Sequence, residues 1–252
     1  MHGEDSVTMK AEDFYTEKWA AEWYDMEKYN PTAFHLKRHI SKLCRLCNDV
    51  GSVLDCGCGA GFNLRELRAS FPQAQLYGSD LTDGILSHAA TTCRDLDVSE
   101  FFALNVETGH LPREFDLILM NQVLEHIDND VAALRNIYAM TKKYLLITVP
   151  GGSFNETSKL NGHFRHYSKK ELADKVSATG FRIISCYEFG WPMHSLYKWA
   201  LNLFPAEAQK KMGYGAYGPL KKFLSYSLTL AFYANVMPYG ENVVLLAERP
   251  RT

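Results

Sequence analysis

Short apolar runs alternate with helix-period stretches along most of this chain, and that rhythm restricts its fold more than any other feature. The runs are Ser52–Cys56, Gln75–Ser79, Glu100–Leu104, Phe115–Met120 and Tyr144–Val149. Strands spaced by helices predict a parallel sheet with helices on both faces. Phe181–Cys186 and Asn242–Glu248 read as two further strands. The expected fold class is therefore α/β, with a seven-stranded, mostly parallel sheet. Helical patterns also cover Ala11–Tyr29 and Thr32–Cys47, broken at Asn30-Pro31. Ser168-Lys169-Lys170-Glu171 has the spacing of a capping box, and the helix it starts should stop before Gly180. Another helix should begin after Asp128, with Val131, Leu134, Ile137 and Tyr138 as its apolar stripe. Residues 187–240 differ: they hold 13 of the chain's 32 aromatic residues, with helix-like spacing after Pro205 and Pro219. They are expected to form an aromatic-rich helical insertion before the last strand.

The bulk numbers exclude several classes. A chain of 252 residues suits one large α/β domain with an insertion. Its 27 basic and 29 acidic residues give a net charge of −2, which offers no footprint for nucleic acid. The densest basic stretch, His35–Arg45, reads as a solvated helix face. The first thirty residues carry acids and aromatics without an apolar core segment, so no signal peptide is expected. The apolar run Phe223–Met237 falls short of the ~20 residues that a spanning helix needs. Cys44 and Cys47 form a lone C-x-x-C without a second ligand pair. Cys56, Cys58, Cys93 and Cys186 show no metal-ligand spacing. No metal is expected, and the chain reads as a cytoplasmic protein with free thiols.

The strongest local signal is Val53-Leu54-Asp55-Cys56-Gly57-Cys58-Gly59-Ala60-Gly61-Phe62-Asn63, a strand running through glycines into a helix. Such a loop lets a ligand approach the backbone closely. Dinucleotide sites space their glycines G-x-G-x-x-G around a pyrophosphate. Here the spacing is G-x-G-x-G, and Asp55 precedes it. A carboxylate there would repel a pyrophosphate but suit an ammonium group, which favours a cofactor bearing an amino acid. Asp80 ends the second apolar run, where it can accept from both ribose hydroxyls of an adenosine. Asn105 and the backbone around Val106 end the third run, placed to read an adenine edge. The fourth run opens into polar Asn121 and Gln122 and then His126. Ligands of open α/β sheets bind where strand order reverses, so Gly57–Gly61 and Asn121–His126 should face one another.

In this order and spacing the four pieces resemble the class I S-adenosylmethionine-dependent methyltransferases. They are most similar to the small-molecule branch that includes the ubiquinone-biosynthesis O-methyltransferases. Gly162-His163-Phe164-Arg165-His166-Tyr167-Ser168 belongs to the same resemblance. It implies a Rossmann-like fold and S-adenosylmethionine as the cofactor. Gly57, Gly59 and Gly61, with Asp55, Cys58 and Asn63 of the same loop, would line the methionine end. Asp80 followed by Leu81 would hold the ribose, and Asn105 and Val106 would lie by the adenine. Asn121, followed by Gln122, would offer its backbone to the methionine portion. Residues 1–47 would form a helical lid, closing Tyr15, Trp19 and Tyr24 over the cofactor, with residues 48–252 as the catalytic domain.

Methyl transfer needs attacker and methyl carbon held in line, in a dry pocket. A base helps when the acceptor is a hydroxyl. His126, at the mouth of the fourth run, ranks first for that role, followed by His163 and His166. The aromatic insertion is expected to supply part of an apolar pocket for an aromatic, polyketide-like or lipid-linked acceptor, with O-methylation favoured. A variant lays Lys221, Lys222 and the apolar run after them on a membrane surface, but two lysines are few for that. Two other readings are weighed. One is a cofactor-binding partner subunit without catalysis; separately, a homodimer is left open as the assembly. The other is a nicotinamide-dependent oxidoreductase or epimerase, which lacks both its glycine spacing and a well-placed Tyr-x-x-x-Lys.

Overall fold

A computed structural model describes residues 25–213 and 215–250. Most of the expected Ala11–Tyr29 helix, with Tyr15, Trp19 and Tyr24, lies outside the described residues; Asp25–Tyr29 is helical. The chain then forms α1 (Pro31–Cys44), β1 (Ser52–Cys56), α2 (Phe62–Ser70), β2 (Gln75–Asp80), α3 (Asp83–Thr92) and β3 (Val98–Ala103). After these come β4 (Phe115–Asn121), α4 (Asp130–Met140), β5 (Thr141–Pro150), α5 (Glu156–Leu160), α6 (Lys169–Ala178) and β6 (Arg182–Trp191). The insertion contributes α7 (Met193–Leu201), α8 (Ala206–Gly213) and α9 (Pro219–Ala231), and β7 (Met237–Glu248) closes the sheet.

The sheet has seven strands in the order β3-β2-β1-β4-β5-β7-β6. β7 runs antiparallel to both of its neighbours, and the other neighbouring pairs are parallel. Strand order reverses between β1 and β4, whose register pairs Val53 with Leu117 and Asp55 with Leu119. Because helices cover both faces, the central strands are apolar on both sides. In β4, Ile118 and Met120 enter one core cluster while Leu117 and Leu119 enter the other. Leu36, Ile40, Leu43 and Cys44 of α1 belong to the second cluster, so this helix is a layer of the core. No helix among the described residues is long and apolar enough to cross a membrane.

Three local expectations need correction. The buried stripe of α4 is Ala133, Leu134, Ile137 and Met140, while Val131 in its first turn is exposed and Tyr138 is only partly buried. Ser168 caps α6 by accepting from the Glu171 amide at 3.1 Å. The reciprocal half of the box is replaced by a Glu171–Lys175 ion pair at 3.3 Å. The insertion is shorter than 187–240, because β6 and β7 continue their antiparallel ladder out to the Trp191–Met237 pair.

Candidate active site

The reversal point puts the ends of β1 and β4 side by side, and the residues there make two adjoining sites. In the first, the loop after β1 is tied to β2. The Gly57 and Cys58 amides donate to the Ser79 carbonyl at 2.7 and 2.9 Å. Asp80, at the end of β2, accepts from the Gly59 amide at 2.8 Å and from the Leu81 amide at 2.8 Å. Its carboxylate thus fixes the loop, and burial pushes its pKa up against those two amides.

Gly57 and Gly59 serve different ends. Both have positive φ, +79° and +51°. A Cβ on Gly57 would stand 2.4 Å from the Val123 side chain, so the residue has to be glycine for β1 and β4 to close. A Cβ on Gly59 would meet no described atom within 4 Å. That side of the loop is open, as a cradle for a ligand requires.

Asp55 lies beneath the loop, wholly buried, with neither carboxylate oxygen hydrogen-bonded among the described residues. Burial pushes its pKa up to about 8, and the nearby Asn63 amide offsets only part of the shift. A buried carboxyl without a partner is costly unless a cation meets it. Asn63 is itself held: its Oδ1 accepts from Asn121 Nδ2 at 3.0 Å, and Asn121 Oδ1 accepts from the Thr148 hydroxyl at 2.6 Å. Gln122 donates to Thr148 Oγ1 at 3.3 Å and has φ +57°, a strained conformation for a residue with a side chain. These bonds draw the loop, the end of β4 and β5 into one network.

At the third strand's end, Asn105 Oδ1 accepts from the Glu107 amide at 3.0 Å, which leaves its Nδ2 for other partners. Val106 turns its side chain into the core, while its carbonyl accepts from Asn136 Nδ2 at 2.9 Å. Cys58 is buried and Leu81 exposed.

The second site is a cavity of about 350 Å³ next to the cradle, with Gln122 in its wall. Its walls include Glu125, His126, His163, His166, Asn155 and Lys198. The three histidines expected from the sequence come together here. The His126 ring meets the His163 ring edge-on at 4.7 Å, and His163 Nδ1 lies 3.2 Å from His166 Nε2. Burial lowers all three pKa values, to about 3 for His163 and about 4 for His166. His126 Nδ1 lies 3.2 Å from the Gly162 carbonyl. A carbonyl only accepts, so Nδ1 carries the proton and Nε2 keeps its lone pair.

Glu125, Thr148 and Glu27 are additions that the sequence reading missed. Glu125 is buried with both carboxylate oxygens unpartnered among the described residues, and burial pushes it up to about 8. It stands beside His126 in the motif already singled out, which was its only signal. One ligand atom each of Glu125, His126 and His163 falls within 4.8 Å of the others. The insertion lines the cavity with Tyr197, Lys198, Leu201 and Met212. Most of its large rings do not: Trp191, Trp199, Phe223, Tyr226, Tyr233 and Tyr239 are exposed.

Fold and site together define a class: a doubly wound α/β protein with an open glycine cradle and a buried, unpartnered carboxyl at the switch point of its sheet. Residues 26–186 match the methyltransferase domain family, and the chain belongs to that family. By that match and by its Rossmann-like fold the chain falls in the class I S-adenosylmethionine-dependent methyltransferase family. Among curated relatives, the malonyl-[acyl-carrier protein] O-methyltransferase of Chlorobium phaeovibrioides is 28% identical over 145 residues, 55% of this chain and 56% of that protein. The chain thus spans about half the length of such relatives. Magnesium protoporphyrin IX methyltransferase (ChlM) of Synechocystis, with bound SAM, superposes with a TM-score of 0.61 at 12% identity, over 99% of this chain and 100% of that one. The N-methyltransferase NodS of Bradyrhizobium japonicum, in complex with S-adenosyl-L-homocysteine, gives 0.60 at 12%, over 96% and 98%. At such identities these structures show the fold alone. The cradle suits the cofactor through Asp55, the carboxylate that awaits a cation, and through the open side of Gly59.

Proposed function

We propose that the enzyme methylates an oxygen of a small acceptor held in the cavity beside the cradle, with His126 as the proton acceptor. The observation carrying this reading is the His126 ring, whose Nδ1 is turned to the Gly162 carbonyl while the ring walls the cavity. Bound S-adenosylmethionine would supply a sulfonium-activated methyl for the acceptor oxygen, with sulfur as the leaving group. Asp55 would meet the cofactor's ammonium, Asp80 would hold the ribose, and Asn105 with the Val106 backbone would hold the adenine. Asn121 and Gln122 are held by Thr148 where cradle and cavity meet. His126 Nε2 takes the acceptor's proton, with neutral His163 and His166 behind it. Met26 and Glu27 also line the cavity, which supports a cover built from the N-terminal segment, with α1 left in the core.

The cavity wall mixes Leu36, Tyr197, Leu201 and Met212 with imidazole and amide groups, which suits an amphiphilic acceptor better than a purely aromatic one. The relatives' O-methyltransferase activity supports oxygen as the attacking atom. Six free cysteines, five of them buried, support a reducing, cytoplasmic setting. The net charge of −2 supports a small-molecule partner over nucleic acid, and sedimentation velocity decides between monomer and homodimer. The test is an acceptor screen with mass-spectrometric assignment of the methylated atom, repeated on His126→Ala. An O-methyl product is expected, with kcat lower by about 10²-fold or more in the variant and cofactor affinity unchanged. An N- or C-methyl product, or a variant as fast as the parent, would overturn the assignment. Absence of turnover with every acceptor would favour the non-catalytic subunit.

A further inference from the structure

The insertion carries its apolar surface on the outside. Fifteen exposed large apolar side chains lie between Trp191 and Tyr239, against eight in all the other described residues. α9 shows the inversion most clearly. Leu220, Phe223 and Leu230 are 71%, 67% and 74% exposed, whereas Ser225 is 7% exposed and faces inward. An ordinary surface helix turns its apolar stripe to the core. Here the inner face is held partly by polar contacts, such as the Thr229 carbonyl to His35 Nε2 at 3.0 Å. On α7 and the turn after it, Trp199, Leu203 and Phe204 are exposed as well. A run of exposed apolar side chains of this extent marks an interaction surface.

Charge says what the surface meets. Residues 192–236 hold five lysines against one glutamate, a formal +4 against −6 for the rest of the chain, with Lys198 turned inward to Glu241 at 3.3 Å. Beside the segment, Arg38, Lys42 and Arg45 are exposed on one side of α1. They line a cleft of about 480 Å³ shared with Tyr233 and Phe34, two rings of the apolar surface. Glu66 is the acid in that lining. Apolar side chains with tryptophan and tyrosine among them, bordered by cations, match the boundary of an anionic bilayer.

We infer that α9 and the α7–α8 turn form a peripheral docking surface for an anionic lipid bilayer, with the cationic row of α1 meeting its headgroups. The helices on either side of the docking turn also wall the acceptor cavity: Tyr197, Lys198 and Leu201 are on α7 and Met212 on α8. The surface stands apart from the cofactor cradle, so its test does not depend on the methyl acceptor.

The test is flotation of the full chain with vesicles of phosphatidylcholine alone and with an equal mixture of phosphatidylcholine and phosphatidylglycerol, at low and high salt. The chain should float with the mixed vesicles, and less so at high salt. Phe223→Glu/Leu230→Glu should cut this binding at least ~tenfold while sedimentation and cofactor affinity stay as in the parent. Lys42→Glu/Arg45→Glu should remove the preference for the anionic vesicles. A parent chain that floats with neither vesicle, or an α9 variant that floats as well as the parent, would overturn the inference. So would a parent dimer that the α9 substitutions split, which would assign the face to a second copy of the chain.

Discussion

Asp55 concentrates the energetics of the cradle in one side chain. With no partner among the described residues, its carboxyl keeps a proton up to about pH 8. A cation seated beside it favours the ionised form and expels that proton. Cofactor affinity should therefore rise with pH toward 8, by up to about tenfold per unit, and level off above. Calorimetry across that range checks this, and Asp55→Asn should flatten the profile as well as weaken binding; an unchanged profile in the variant would contradict the assignment. The folded pKa lies above the ordinary 3.8, so the folded state holds its proton longer than the unfolded chain does. Stability of the free protein should thus fall as pH rises from 3.8 to about 8 and then level. Asp55→Asn should raise the thermal midpoint above pH 8 by at least ~2–4 °C, a stabilisation that removes function. Asp55, Asp80 and Asn121 are legible in sequence because each sits at or next to a strand end that the apolar pattern already marks. Thr148 is not, since one hydroxyl in an apolar run carries no sign of the β4 amides that cross to it.

Among the elements, the glycine loop separates folding from binding. Gly57→Ala adds to the left-handed backbone term a methyl driven into Val123 from the segment after β4, and should cost about 1–3 kcal/mol more than Gly59→Ala, together with cofactor affinity. Gly59→Ala meets open space, so it should cost only the left-handed backbone term, about 1–2 kcal/mol, yet still obstruct the cofactor. Thermal melts and titrations of both variants check the contrast, and equal losses of stability would contradict it. Ser168→Ala should destabilise α6 by about 1 kcal/mol through the lost Glu171 amide bond, measured by urea unfolding. The central strands could be read closely because both of their faces are buried, and β4 is found at Phe115–Asn121 where Phe115–Met120 is expected. The outer β6–β7 ladder could not: its length is set by pairing between strands about 50 residues apart, which no local pattern encodes.

On the scale of the whole molecule, the alternation of strand and helix fixes the reversal between β1 and β4, and the reversal is where the proposed cofactor site lies. That much follows from pattern. The direction in which the insertion faces does not, because an apolar helix reads the same whether its stripe meets a core or a bilayer. The aromatic content of 187–240 suggests a pocket lining, yet the rings largely cover the outside and the cavity takes a mixed wall. The same fold hosts many acceptors, so chemistry at the cradle is the firmer ground. The most direct test is calorimetric titration of the protein with S-adenosylmethionine, S-adenosylhomocysteine and NAD, repeated on Asp80→Ala after a melt shows that variant folded. The account predicts binding of the first two and not of NAD, with that binding lost in the variant. Binding of NAD, or S-adenosylmethionine binding that survives Asp80→Ala unchanged, would contradict it.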